Sequence, residues 1–135
     1  MEQVTFYGQV VGQVIRVRRE LQGTSLATMA TSLALASASG WSRVETGDTA
    51  ITLAQLRKAA KTFGVEPWKM VREADHLAAQ LEASGVVVHD DKPKNLGKWL
   101  LGGAGILALL AGVAVSAGAA KQRQEQQQEE DEAES

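Results

Sequence analysis

From Trp99 to Ala120 the chain runs twenty-two residues without a charge: Trp-Leu-Leu-Gly-Gly-Ala-Gly-Ile-Leu-Ala-Leu-Leu-Ala-Gly-Val-Ala-Val-Ser-Ala-Gly-Ala-Ala. A helix of ~20 apolar residues matches the hydrocarbon core of a bilayer, and a chain of 135 residues has too little other apolar mass to enclose such a helix on every side. Glycine-rich apolar helices are also commoner in membranes than in water. The run therefore predicts a single transmembrane helix over 99–120, too late in the chain to be a secretory signal. Lys92, Lys94 and Lys98 before it, against Lys121 and Arg123 after it, give a slight positive-inside bias that agrees with a cytoplasmic N-terminal side but does not decide it; Trp99 would then sit at the inner headgroup level. Ala104, Ala108, Gly112, Ser116 and Ala120 fall every fourth residue within it. Such small-residue faces let helices approach closely in lipid, so a homodimer is the expected assembly. Residues 121–135 are polar, acidic and low in complexity, and are expected to form a disordered tail.

Ahead of the run, apolar residues recur at helical spacing. Val10, Val11, Val14, Val17 and Leu21 mark a first helix over Gly8 to Leu21, closed at Gln22-Gly23. Ser25 is placed to cap a second helix by accepting a hydrogen bond from an orphan amide one turn on, with Leu26, Met29, Ala30 and Leu33 as its buried stripe. The small residues from Ala34 to Gly40 hold a turn and the start of a third helix, which stops at Thr46-Gly-Asp48. Thr52-Leu-Ala-Gln55 matches a capping box and opens a fourth helix to Phe63, burying Leu53, Leu56, Ala59, Ala60 and Phe63. Gly64 ends it. Pro67 suits the first position of a fifth helix running to Ser84, with Val71, Ala74, Ala78 and Leu81 at heptad-like spacing. Val86-Val-Val88 is too short to alter an all-α reading. The expected organisation is a five-helix domain over 1–84, a linker over 85–98, the span over 99–120 and the tail over 121–135.

Two segments together carry a family resemblance. Ser25-Leu-Ala-Thr-Met-Ala30, followed by Ser42-Arg-Val-Glu-Thr-Gly47, resembles the helix-turn-helix of Cro/C1-type (Xre) repressors, with which the likeness extends over about Val10 to Val71. The resemblance implies binding to double-stranded DNA as a transcription regulator. Ser25 would stand near a phosphate at the start of the second helix, and Ser37, Ala38 and Ser39 would face base edges in the major groove. Ser42 and Arg43 lie a turn further on, Arg43 reaching backbone or a guanine, and Arg16, Arg18 and Arg19 would contact phosphates. Serine bonds either kind of base edge; the bidentate Arg or Gln contacts worth ~1 to 3 kcal/mol of discrimination are not offered at the start of the third helix. With the span, the resemblance implies a single-pass protein of a bacterial-type inner membrane.

Charge and chemistry limit the alternatives. Over residues 1–85, nine Lys and Arg oppose eight Asp and Glu, a net of plus one, so no strongly basic face announces nucleic acid. Arg57, Lys58 and Lys61 form a basic cluster on the fourth helix. Cysteine is absent, which removes disulfides and thiolate metal sites. His76 and His89 lack partners at metal-ligand spacing, and nothing resembles a nucleophile with its base or a phosphate-cradling loop. No enzyme and no cofactor are read here. The layout, a helix-turn-helix domain ahead of one span, also resembles RodZ-type cytoskeletal adaptors, whose domain binds a cytoplasmic filament protein. Trp68 would be the protein-contact anchor in that reading, while Trp41 belongs to the core.

Overall fold

The computed structural model describes residues 2–34, 37–92, 94, 100–102 and 105–106. Most of the span expected over 99–120, including Ala104, Ala108, Gly112 and Ser116, lies outside the described residues, as does the tail over 121–135. No helix among the described residues is long and apolar enough to cross a membrane.

The described chain is mostly helical. Strand β1 (Gln3–Phe6) leads into α1 (Tyr7–Leu21), α2 (Leu26–Ser32), α3 (Ala38–Thr46), α4 (Leu53–Phe63), α5 (Pro67–Ala83) and strand β2 (Val86–His89). The helix ends follow local chemistry. Ser25 Oγ accepts from Thr28 N at 3.1 Å, and Thr52 and Gln55 exchange both bonds of the capping box, at 3.0 and 3.1 Å. Gly47 and Gly64 close α3 and α4 in the left-handed conformation that glycine adopts without a Cβ penalty. The α2–α3 turn passes through Ala34 at φ 55, a conformation disfavoured for any residue with a Cβ.

Two apolar clusters hold the helices together. The larger contains Ile15, Met29, Leu33, Trp41, Val44, Leu56, Phe63 and Met70 and lies between α1 and the α2–α4 layer. Trp41 is fully buried, as its sequence context implies. The second cluster joins Val10 and Val14 of α1 to Ala74, Leu77, Ala78 and Leu81 of α5, with Val86 and Ile106. Three expected core positions differ. Leu21 is 82% exposed, Leu53 84% and Val71 38%. Leu21 and Leu53 sit in terminal turns, and on α5 Met70, beside Val71, is the residue that turns inward, with Leu77 added to the buried face.

The five helices agree with the all-α expectation, and a two-stranded sheet is added to them. β1 and β2 pair in parallel, Gln3 opposite Val86 through Phe6 opposite His89. The start of the expected linker is therefore a strand, anchored to a partner some eighty residues earlier. Lys92 then reaches back to the Asp48 carbonyl at 3.2 Å. On the other edge of β1, Leu100 pairs with Val4 and Leu101 N donates to the Val4 carbonyl at 2.9 Å.

Tyr7, at the start of α1, donates its hydroxyl to Asp75 of α5 at 2.5 Å. Burial pushes its phenol pKa up to about 12, with the Asp75 hydrogen bond and the Asp75 charge adding to the shift. A raised phenol pKa contributes stability that is complete below the unfolded value of ~10 and is lost as pH climbs through the folded value. Ultraviolet titration of the phenolate reads this residue alone, because Tyr7 is the single tyrosine. It should give a midpoint near 12 in the native chain, and Asp75→Asn should lower that midpoint; an unchanged value would break the assignment.

Candidate nucleic-acid interface

The candidate surface is built on α3, whose two faces divide at helical spacing. Trp41, Val44 and Glu45 are buried. Ser39, Arg43 and Thr46, at positions i, i+4 and i+7, are exposed, and Ser42 is half-buried beside them. Ser37 caps the helix, its Oγ accepting from Gly40 N at 3.3 Å and lying 2.9 Å from Ser39 Oγ. Ser37 and Ser39 are exposed and Ala38 half-buried, so the residues expected at base edges share the first turn of α3. Arg43 has no carboxylate within ion-pair distance among the described residues. Thr46 donates to the Arg43 carbonyl at 3.1 Å and to Asp48 at 3.2 Å.

The buried face explains why α3 is held where it is. α1 crosses α3 at Gly12, where a Cβ would stand 2.3 Å from the Glu45 carbonyl oxygen and 2.7 Å from that of Val44. Only glycine permits this backbone approach. Beside the crossing, Arg19 Nε and Nη2 meet the Glu45 carboxylate at 2.8 and 3.0 Å, and Nη1 donates to the Thr24 carbonyl at 2.9 Å. Both side chains are largely shielded, at 11% and 3% exposure. Arg19 thus ties α1 to α3 and to the α1–α2 loop, a role that withdraws it from the phosphate contacts expected of it.

No family model, curated protein or solved structure matches this chain. The weight of any functional reading therefore falls on the geometry.

Arg16 and Arg18 are also partnered, though at the surface. Arg16 Nε bonds Glu20 at 3.0 Å along α1, and Arg18 Nε bonds Glu73 of α5 at 3.0 Å. Exposed pairs of this kind contribute little net energy, so a phosphate can exchange for either carboxylate at small cost. Ser25 is exposed, but its hydroxyl is already engaged twice, accepting from Thr28 N and donating to Thr28 Oγ1 at 2.9 Å. Of the expected contacts, the structure brings Ser37, Ala38, Ser39, Ser42 and Arg43 together on α3 and places Arg16, Arg18 and Arg19 on α1. Gly12 and Glu45 are the positions that contact-by-contact reading missed. Their signals were a glycine inside a helical pattern and a glutamate four residues after Trp41, on the inward side of α3.

Trp68 lies elsewhere, at the start of α5. It is 54% exposed, donates its indole N–H to the Glu66 carboxylate and carries Lys69 Nζ 5.7 Å from its ring centre. It does not pack beneath α4.

Proposed function

We propose that this is a membrane-anchored helix-turn-helix protein that binds double-stranded DNA through α3 and regulates transcription. The observation that carries the reading is the exposed stripe of Ser39, Arg43 and Thr46, with an Arg43 guanidinium that has no ion-pair partner among the described residues at its centre, on a helix whose other face is fixed to α1. Arg43 supplies charge and a bidentate donor set. Ser37 and Ser39 offer hydroxyls that accept or donate at base edges but discriminate weakly. Arg16 and Arg18 add phosphate contacts after exchanging their surface carboxylates. Affinity in this arrangement comes mainly from the backbone, so it falls steeply with salt.

The test is binding of the full chain, held in micelles, to genomic DNA fragments across a salt series. The full chain is required because truncation after Gly85 would remove β2. Retention of fragments at low salt, lost progressively as salt rises, is the expected result. A chain that retains no DNA at low salt, while recovering a filament-forming cytoplasmic protein through Trp68, would replace this reading with the adaptor one. The exposure of Trp68 and its contact with Lys69 are the features that favour that second reading.

A further inference from the structure

The first turn of the apolar run is already used by the domain. Ile106 is 0% exposed within the cluster of Val10, Val14, Ala74, Leu77, Leu81 and Val86. Leu101 N bonds the Val4 carbonyl at 2.9 Å, Leu100 extends the sheet beside Val4, and the Leu101 carbonyl accepts from Gln9 Nε2. Gln9 is itself buried, and its Oε1 accepts from the buried Thr5 hydroxyl at 2.6 Å. Backbone pairing, a buried amide and an apolar anchor thus converge on one short segment, from three different elements of the domain.

This docking cannot coexist with a full membrane span. With Ile106 held in the domain, residues 107–120 remain of the uncharged run, fourteen in all, and a helix of that length covers ~21 Å against a hydrocarbon core of ~30 Å. With the whole run in lipid, Ile106 leaves its cluster, the edge of β1 loses its partner, and Gln9 Nε2 loses the Leu101 carbonyl.

We propose that Leu100, Leu101 and Ile106 act as an exchangeable clasp, held either by the domain, along β1 and between α1 and α5, or by the bilayer as part of the span. The proposal rests on the membrane reading of residues 99–120 and adds a competition to it. The docked chain keeps its second core closed and cannot span; the inserted chain spans and opens that core. Membrane insertion and the packing of α1 against α5 are therefore coupled with opposite sign. Anything that strengthens the clasp lowers membrane occupancy, and anything that weakens it raises occupancy.

Two independent measurements on the full chain test this. The sequence has no cysteine, so Val4→Cys with Leu100→Cys gives one pair for a short bis-maleimide. Made cell-free without lipid, the double variant should cross-link in high yield while either single variant does not. On addition of phosphatidylethanolamine and phosphatidylglycerol vesicles, the cross-linked chain should float about ten-fold less than the same chain capped singly at each cysteine. Failure to cross-link, or equal flotation, overturns the clasp.

The second measurement uses Ile106→Ala. This change makes the run less apolar, so a plain span predicts weaker membrane association. It also empties a buried site, and the clasp predicts roughly a ten-fold rise in the ratio of floated to soluble chain, because the lost core packing outweighs the lost membrane affinity. A fall in that ratio overturns the proposal. If the cross-link forms but neither the wild-type chain nor Ile106→Ala floats, the membrane reading has failed and the exchange with it, leaving Leu100, Leu101 and Ile106 as fixed parts of the domain.

Discussion

Gly12→Ala should destabilise the domain by about 3 kcal/mol or more, a large share of the ~5 to 15 kcal/mol that holds a small domain together. Two effects of opposite sign meet at this position. Alanine in mid-helix is favoured over glycine by ~1 kcal/mol on conformational grounds. Against that, the new methyl would stand 2.3 Å and 2.7 Å from two carbonyl oxygens and 2.8 Å from the Glu45 carbonyl carbon. These are backbone atoms of α3 and cannot swing aside, so α1 and α3 must move apart and open the core around Ile15 and Trp41. Gly8→Ala, in the same helix, is the control: its methyl would meet only the Phe6 ring, at 3.3 Å and beyond, and its stability should stay within about 1 kcal/mol of wild type. Denaturant unfolding of both variants decides the matter. Equal midpoints would show that the α1–α3 crossing is not close.

The second large effect belongs to Arg19 and Glu45. Removing Arg19 leaves the Glu45 carboxylate buried without a cation, and a cost of about 3 to 5 kcal/mol is expected for Arg19→Met; Glu45→Leu should cost less, because Arg19 keeps the Thr24 carbonyl at 2.9 Å and Glu20 at 3.9 Å. The double replacement should recover most of that loss, because two apolar side chains of comparable reach need no solvation. That recovery separates an uncompensated charge from a simple packing defect, in which the double variant would be worse than either single one. Arg16→Met serves as the surface comparison. Its pair with Glu20 is half-exposed and lies along one helix, so the change should cost under ~0.5 kcal/mol.

These two features also show how far the chain can be read before its structure is known. Helix ends were legible because their chemistry is local: Ser25 and its amide are three residues apart, as are Thr52 and Gln55, and Gly47, Gly64 and Pro67 act on their own backbone. The α3 residues expected to face DNA came from the family resemblance, and Thr46, exposed beside Arg43, was read only as the end of the helix. The sheet was not legible, since β1 and β2 pair in parallel across the whole helical domain and four-residue strands carry almost no periodic signal. Arg19 looked like one of three equivalent cations on α1; only the fold distinguishes it, by bringing the buried Glu45 opposite its guanidinium. Leu100 to Ile106 read as lipid-facing because apolarity does not say which apolar surroundings a residue enters. For Leu101 and Ile106 those surroundings are α1 and α5.

If α3 has a fixed inner face and an outer face that binds DNA, Arg43→Ala separates the two. Arg43 is exposed and without an ion-pair partner among the described residues, so its removal should leave Tm within a few degrees of wild type. DNA affinity at low salt should fall about ten-fold, and the slope of log affinity against log salt should become shallower by about one contact's worth. Unchanged affinity and slope in a fully folded variant would move the binding surface away from α3.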